Sequence, residues 1–120
     1  WPVDILCPKK EYYLNKIAEL GFNRHYICTD SPDDPFIQDL SREFSNCTVI
    51  RSDALSQFNF IQNSKNIFMS PSTFSWWAAY LNTAQNPTVV CPKPWFRSQL
   101  EPKSIIPPTW SRSDALYQEN

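Results

Sequence analysis

Residues 66–81 read NIFMSPSTFSWWAAYL, and this stretch decides the fold. Its opening, NIFMS over residues 66–70, is a short apolar run typical of a β-strand. The hydroxyl-rich turn behind it leads into a helix over residues 70–81. A helix begins with backbone N–H groups that have no helical partner, and the serines and threonine of STFS can serve them. The sequence therefore predicts a strand that ends in a polar helix start.

That helix carries two adjacent tryptophans, Trp76 and Trp77. Successive side chains on a helix point about 100° apart, so one apolar stripe cannot take both rings. Two arrangements fit the sequence. Either one ring faces the sheet while its neighbour packs elsewhere, or both rings belong to the core.

Strands and helices alternate along the rest of the chain. The predicted strands are 3–7, 24–29, 47–51, 66–70 and 87–92; the predicted helices are 8–21, 35–44, 53–65 (with Asp53 as N-cap), 70–81 and a terminal helix from about Ser113; residues 97–112 are Pro-rich and predicted to be irregular. This order is typical of βαβ units with parallel strands. The expected fold class is α/β: residues 1–120 form a single Rossmann-like lobe, with a parallel sheet of about four or five strands and helices on both faces.

Composition excludes several functions. Eleven Lys and Arg oppose 12 Asp and Glu, so there is no basic surplus for binding nucleic acid. A single Gly excludes a Walker loop and a GxGxxG turn. Four widely spaced Cys and one His argue against a zinc site, and no metal is expected. Cysteines in strand-like runs favour reduced thiols and a cytoplasmic location. No apolar run reaches 18 residues, so no membrane-spanning helix is expected. Peripheral attachment to a membrane is left open.

Polar residues follow two of the predicted strands, where ligands of open parallel sheets bind. Asp30 opens a turn with three carboxylates. The turn either only caps the next helix through Asp33 or Asp34, or presents Asp30 to a ligand's ribose or base. At the second junction, the helix start with Ser72 either is merely capped or holds a phosphate. No catalytic triad can be assembled around the single His25, which is expected to be structural.

The segment SPSTFSWWAAYL resembles the signature of the alpha-1,2-fucosyltransferase family, glycosyltransferase family 11, whose bacterial members carry a segment close to NSTFSWWAAWL. Further segments resemble the family in the same order: EYYLNKI, HYICTDSPDD, NSKNIFMSPSTF and VVCPKPWF. The similarity extends over residues 11–110, and its STFSWWAA core is specific.

The resemblance implies inverting transfer of fucose from GDP-fucose to a sugar hydroxyl in an alpha-1,2 linkage, with no metal or other cofactor. It implies a fold of two Rossmann-like domains with the donor between them. The partners are a nucleotide-sugar donor and an oligosaccharide acceptor. The donor-binding residues implied on this chain are Asp30, Gln57, Ser72, Thr73, Phe74 and Ser75, with Gln57 where related enzymes carry an acidic contact to guanine. No catalytic residue is identified.

The sequence departs from the family pattern in two further ways. The basic motif His-x-Arg-Arg-x-Asp, expected before EYY, does not occur, and Pro71 replaces the usual Asn before STF. The chain begins with Trp1, and it is expected to supply the donor-binding half of an enzyme that needs a further N-terminal domain. The alternative is an inactive carbohydrate-binding or interaction module, in which Trp95 or Trp110 stacks on sugar rings; a flavodoxin-like phosphate-binding module fits the element order but not the tryptophan pair.

Overall fold

The protein is described by a computed structural model, which covers residues 10–93, 95 and 105–115. Its elements in chain order are α1 Lys10–Leu20, β1 His25–Cys28, α2 Pro35–Arg42, β2 Cys47–Ile50, α3 Ala54–Gln62, β3 Asn66–Phe68, α4 Thr73–Tyr80, β4 Thr88–Lys93 and β5 Ser111–Asp114. The alternation of strands and helices is therefore confirmed from residue 10 to residue 93. The strand predicted at residues 3–7 lies outside the described residues.

The strands form two small parallel sheets. β1 pairs with β2, and β3, β4 and β5 form a second sheet in that order. The parallel pairing is as predicted, but the expectation of one sheet with four or five strands is wrong. Periodicity along the chain indicates where strands lie, whereas the choice of neighbours depends on contacts between distant segments. Among the described residues, no backbone ladder joins β2 to β3.

The last strand corrects the prediction for the C-terminal part of the chain. Instead of a helix from about Ser113, residues 111–114 form β5, with Val90 opposite Ser111 and Cys91 opposite Arg112. The sequence SRSD has little β propensity, but the free edge of β4 offers backbone donors and acceptors that outweigh it. Of the Pro-rich segment 97–112, residues 105–110 consist of bends and turns, and residues 111 and 112 belong to β5; residues 97–104 lie outside the described residues.

The core consists of two clusters, one beside each sheet. The larger cluster lies around β3 and β4 and contains Ile67, Met69, Ala79, Val89, Cys91 and Trp95. The smaller one lies between α1 and α2 and contains Tyr12, Tyr13 and Leu40. The smaller cluster thus draws on residues 12–44 and the larger one on residues 61–110.

Helix α1 is bonded to the segment that follows β3. The buried Tyr12 hydroxyl donates to the Met69 carbonyl oxygen at 2.8 Å, and the Tyr13 hydroxyl lies 2.5 Å from the Ser70 hydroxyl oxygen. These bonds connect residues 57 positions apart in sequence. The two tyrosines thus anchor residues 69 and 70, the segment from which the chain enters α4.

Removing the Tyr12 hydroxyl tests this anchor. Tyr12→Phe leaves the Met69 carbonyl without that donor in a buried site, so we expect the free energy of unfolding to fall by about 1–2 kcal/mol. Urea denaturation measures it. Tyr26→Phe is the matched control, because Tyr26 is exposed and its hydroxyl accepts a long, exposed bond of 3.5 Å from Arg24. Equal stability of the two variants would contradict the anchoring role.

Candidate functional site

The start of α4 faces solvent at the carboxyl end of β3. Ser72 is the N-cap, and its hydroxyl oxygen accepts a hydrogen bond from the Ser75 backbone N–H at 3.0 Å. The Ser75 hydroxyl lies 3.3 Å from that of Ser72, and both side chains are half-buried. Thr73 and Phe74 are exposed. The hydroxyl-rich opening of the helix is therefore accessible to a ligand rather than covered by other parts of the described chain.

Two backbone donors at this helix start are available. The Ser75 N–H is used by the cap, and the Trp76 N–H donates to the Ser72 carbonyl at 2.9 Å. The N–H groups of Thr73 and Phe74 make no hydrogen bond within residues 10–93, 95 and 105–115. In the first turn of a helix such groups point outward along the axis, so they can donate to an anion placed before the helix.

The cap of α4 differs in charge from the caps of α2 and α3. The Asp34 carboxylate caps α2 by accepting from the Phe36 N–H at 2.8 Å, and the Asp53 carboxylate caps α3 by accepting from the Ser56 N–H at 2.7 Å. The latter bond lowers the pKa of Asp53. A carboxylate at the helix start repels a phosphate, whereas a neutral serine does not. Of these three helices, α4 is the one whose start suits an anionic ligand.

The acidic turn after β1 uses its three carboxylates in different ways. Asp34 caps α2, as one of the two interpretations required. Asp33 forms an exposed ion pair with Arg51 at 2.6 Å, and that guanidinium lowers the pKa of Asp33. Asp30 is exposed and accepts one hydrogen bond, from the Ser31 hydroxyl at 3.2 Å. The turn thus caps a helix and at the same time leaves Asp30 open to solvent.

Gln57 is buried and holds two chain segments together. Its side-chain N–H groups donate to the Thr29 carbonyl at 3.0 Å and to the Ser52 carbonyl at 2.9 Å. Because Thr29 follows β1 and Ser52 lies just after β2, this one amide joins α3 to the carboxyl ends of both strands. Both of its donors are used inside the protein, so only its carbonyl oxygen remains for a ligand, and a contact to guanine stays a prediction.

Helices α3 and α4 meet close to their first turns. The rings of Phe58 and Phe74 contact each other edge to face, with centroids 5.5 Å apart. Phe58 directly follows Gln57, which is bonded to Thr29. The described contacts therefore connect the Asp30 turn to the α4 start through α3, although none joins Asp30 to residues 72–75 directly.

Sequence reasoning did not single out Phe58 or Arg51. Arg51 directly follows β2, and a basic residue at the carboxyl end of a strand is a sequence feature that indicates a candidate ligand-binding position. The contact between Phe58 and Phe74 had no local signal, because it depends on how two helices pack.

The two tryptophans of α4 have different environments. Trp76 packs against the larger core cluster, and its indole N–H donates to the Ile105 carbonyl at 2.8 Å. Trp77 is 51% exposed. One ring therefore packs against the core beside β3 and β4, as the first arrangement required, but its neighbour stays half exposed; the arrangement with both rings in the core is wrong. Trp95 is buried in this cluster, so it is not the open sugar-stacking residue of the alternative interpretation; Trp110 is half-buried against the same cluster, and its contact with a sugar stays a prediction.

His25 and Cys28 are two reactive side chains of the described residues whose surroundings do not activate them as nucleophiles. His25 stacks on Phe44 with ring centroids 4.3 Å apart, far along β1 from the acidic turn. Burial raises the pKa of Cys28 to about 11, so this thiol stays protonated at neutral pH. Within the described ranges, no group of three or more His, Cys, Asp or Glu side chains is arranged to hold a metal ion. The same residues contain no helix with the length and apolar character needed to cross a bilayer.

Fold and site together define an α/β protein with parallel strands and a serine-capped helix start at the carboxyl end of one of them. Residues 8–113 match the model of glycosyl transferase family 11, and the chain therefore belongs to that family of glycosyltransferases. The resemblance read from the STFSWWAA segment is thereby confirmed. Comparisons with curated proteins and with solved structures found no significant match.

The buried amide of Gln57 gives a pH-dependent prediction. Gln57→Glu places a carboxylate against two carbonyl oxygens, which disfavours the charged form and raises the pKa of the new side chain above its unfolded value. The folded variant then binds more protons than the unfolded one, so its stability falls as pH rises above about 4.3. We expect the deficit relative to the wild type to be larger at pH 8 than at pH 5, as measured by urea denaturation.

Gln62→Glu serves as the matched control. Gln62 also donates to a backbone carbonyl, that of Leu81 at 3.1 Å, but this bond is solvent-exposed. Water can solvate the new carboxylate there, so its stability deficit should change little with pH. A pH-independent deficit in Gln57→Glu would show that Gln57 does not bridge Thr29 and Ser52.

Proposed function

We propose that this chain binds GDP-fucose and serves in the transfer of fucose to a sugar hydroxyl, forming an alpha-1,2 linkage. The observation that carries the proposal is the serine-capped start of α4, with two outward N–H donors at the carboxyl end of β3. Membership of glycosyl transferase family 11 supplies the reaction class. The geometry supports the residue roles, whereas the donor and the linkage are proposed from the resemblance of the STFSWWAA segment.

The diphosphate is assigned to the α4 start. Its oxygens accept hydrogen bonds from the N–H groups of Thr73 and Phe74, and the hydroxyls of Ser72, Thr73 and Ser75 lie around the same opening. When the bond between fucose and phosphate breaks, negative charge develops on the departing GDP. Preorganised donors and the positive end of the helix stabilise that charge more than they stabilise the intact donor.

The nucleoside is assigned to the edge formed by β1 and β2. The open carboxylate of Asp30 repels phosphate but accepts hydrogen bonds from ribose hydroxyls or from base N–H groups. Gln57 holds the two loops at this edge in place and leaves its carbonyl oxygen as an acceptor. The negative Asp30 and the neutral α4 start therefore favour one orientation of the donor, with its nucleoside near Asp30 and its phosphates near Thr73.

The reaction is an in-line displacement at the anomeric carbon of fucose. The acceptor hydroxyl oxygen forms the new bond on the face opposite the phosphate, the bond to GDP breaks, and the configuration inverts. The hydroxyl proton passes to a general base. No described residue is assigned as that base, and the donor-binding scheme uses this chain's own N–H groups and hydroxyls, with no cofactor besides the sugar donor.

Calorimetric titration with GDP and GDP-fucose tests donor binding. We expect weak binding that Thr73→Ala weakens by about 2- to 10-fold, because one exposed hydrogen bond to an anion is lost. Thr73 is preferred to Ser72 for this test, since replacing the N-cap also destabilises the helix.

Ser56→Ala is the control for the titration. Ser56 is an exposed hydroxyl residue in the first turn of α3, where the Asp53 carboxylate occupies the helix start. Its replacement should leave GDP affinity unchanged. Absence of heat at millimolar GDP, or equal affinities for the Thr73 and Ser56 variants, would refute the assignment of the phosphates to α4.

A further inference from the structure

Helix α4 presents two exposed aromatic rings set at right angles, which we call the aromatic corner: Trp77, 51% exposed, and Tyr80, 56% exposed. Their ring centroids are 6.0 Å apart and their planes meet at 87°. Trp76 lies beneath them. It stacks on Tyr80 at 4.9 Å with planes 9° apart, and it contacts Trp77 edge to face at 5.0 Å. The half-buried Trp76 thus holds both exposed rings in fixed orientations.

The chain around the corner carries no charge. From residue 66 to residue 92 there is no Asp, Glu, Lys, Arg or His, although 19% of the whole chain is charged. An ionic partner would find no complementary side chain on this segment. A neutral ligand with both apolar and hydroxyl surfaces fits it better.

We propose that the aromatic corner binds a pyranose ring of the neutral oligosaccharide acceptor. The C–H groups of one sugar face are weakly positive and pack on the negative face of an aromatic ring. A second ring at a right angle bounds the sugar at its side and restricts its rotation, which a single exposed ring cannot do. This inference rests on the proposed function, since it names the site of that reaction's second substrate.

The position of the corner along α4 agrees with this assignment. Trp77 lies five residues after Ser72, a rise of about 7.5 Å along the helix, and helical side chains lean back toward the N-terminus. The donor sugar is attached to the phosphate at the helix start, and the acceptor hydroxyl must approach its anomeric carbon to about 3–3.5 Å. An acceptor held at Trp77 is therefore about one sugar ring away from the phosphate.

The size of the surface favours a sugar over a second copy of this chain. Phe74 and Leu81 flank the corner and are 39% and 46% exposed. At 150–250 Å² for a large aromatic side chain, the four together expose roughly 400 Å². A specific protein interface buries about 800 Å² on each partner. The corner is large enough for one or two sugar rings and too small for a stable dimer by itself.

Saturation-transfer NMR with lactose as the probe tests the proposal. We expect lactose at tens of millimolar to receive saturation from the wild-type protein. Trp77→Ala and Tyr80→Ala should each weaken lactose binding by about 3- to 10-fold, while Trp77→Phe retains part of it because a ring remains. Leu55→Ala is the control, since Leu55 is 72% exposed on α3 and apolar but not part of the corner.

A parallel GDP titration separates this inference from the proposed function. If Trp77→Ala binds GDP as tightly as the wild type does but loses lactose binding, the result supports both the donor site at α4 and the acceptor site at the aromatic corner. GDP binding without any effect of Trp77→Ala or Tyr80→Ala on lactose overturns the corner alone. If the wild-type protein does not bind GDP but its lactose binding still depends on Trp77, the donor site is overturned and the aromatic corner is supported as a sugar-binding site. Lactose that fails to bind, or a dimer by sedimentation that Trp77→Ala dissociates, overturns the corner.

Discussion

The anchoring of residues 69–70 by α1 is the constraint on which the rest of the candidate site depends. β3 has only three residues, and Pro71 has no backbone N–H that could donate a hydrogen bond to hold the segment between β3 and α4 in place. The hydroxyls of Tyr12 and Tyr13 supply bonds there from a distant helix, and the Met69 N–H adds one to the Val90 carbonyl at 3.0 Å. The direction in which α4 leaves the sheet, and hence where its N–H groups point, follows from these contacts.

Side-chain contacts connect the two sheets, a connection that backbone hydrogen bonds provide in a continuous sheet. With no described ladder between the two sheets, their carboxyl ends are related through α3. Gln57 binds both strand ends of the first sheet, and Phe58 contacts Phe74 on the helix of the second. A site held by a few side-chain contacts opens at lower free energy than one held by a full ladder. Ligand that bridges the two edges would add to the stability of the arrangement.

Charge is divided between the two edges in a way that suits an asymmetric ligand. The edge after β1 and β2 carries Asp30, the ion pair of Asp33 with Arg51, and carboxylate caps on the neighbouring helices. The edge after β3 and the whole of residues 66–92 are uncharged. A sugar nucleotide has hydrogen-bond donors at its nucleoside, negative charge in the middle and a neutral sugar at its far end. In the proposed arrangement, the environments of Asp30 and Thr73 match its nucleoside and its diphosphate, and the uncharged surface at Trp77 lies beyond them, where the acceptor sugar is proposed to bind.

The sequence by itself determined the features that depend on neighbouring residues. The order of helices and strands from residue 10 to residue 93, the Asp53 cap and the family could all be read from it, because caps and periodicity arise from contacts within one or two turns. The candidate positions at Asp30 and Ser72 followed from strand ends alone. For the same reason, the existence of a helix start at STFS was predictable, whereas what surrounds it was not.

Only the tertiary structure decided which strands pair, that residues 111–114 form a strand, and which tryptophans are exposed. Trp95 is buried in the core while Trp77 remains half exposed, a difference that the sequence next to either tryptophan does not predict. Gln57 became a buried bridge because Thr29 and Ser52 lie opposite its amide. Each outcome depends on contacts between segments that are far apart in the chain. The local sequence of one segment does not specify which distant segment will face it.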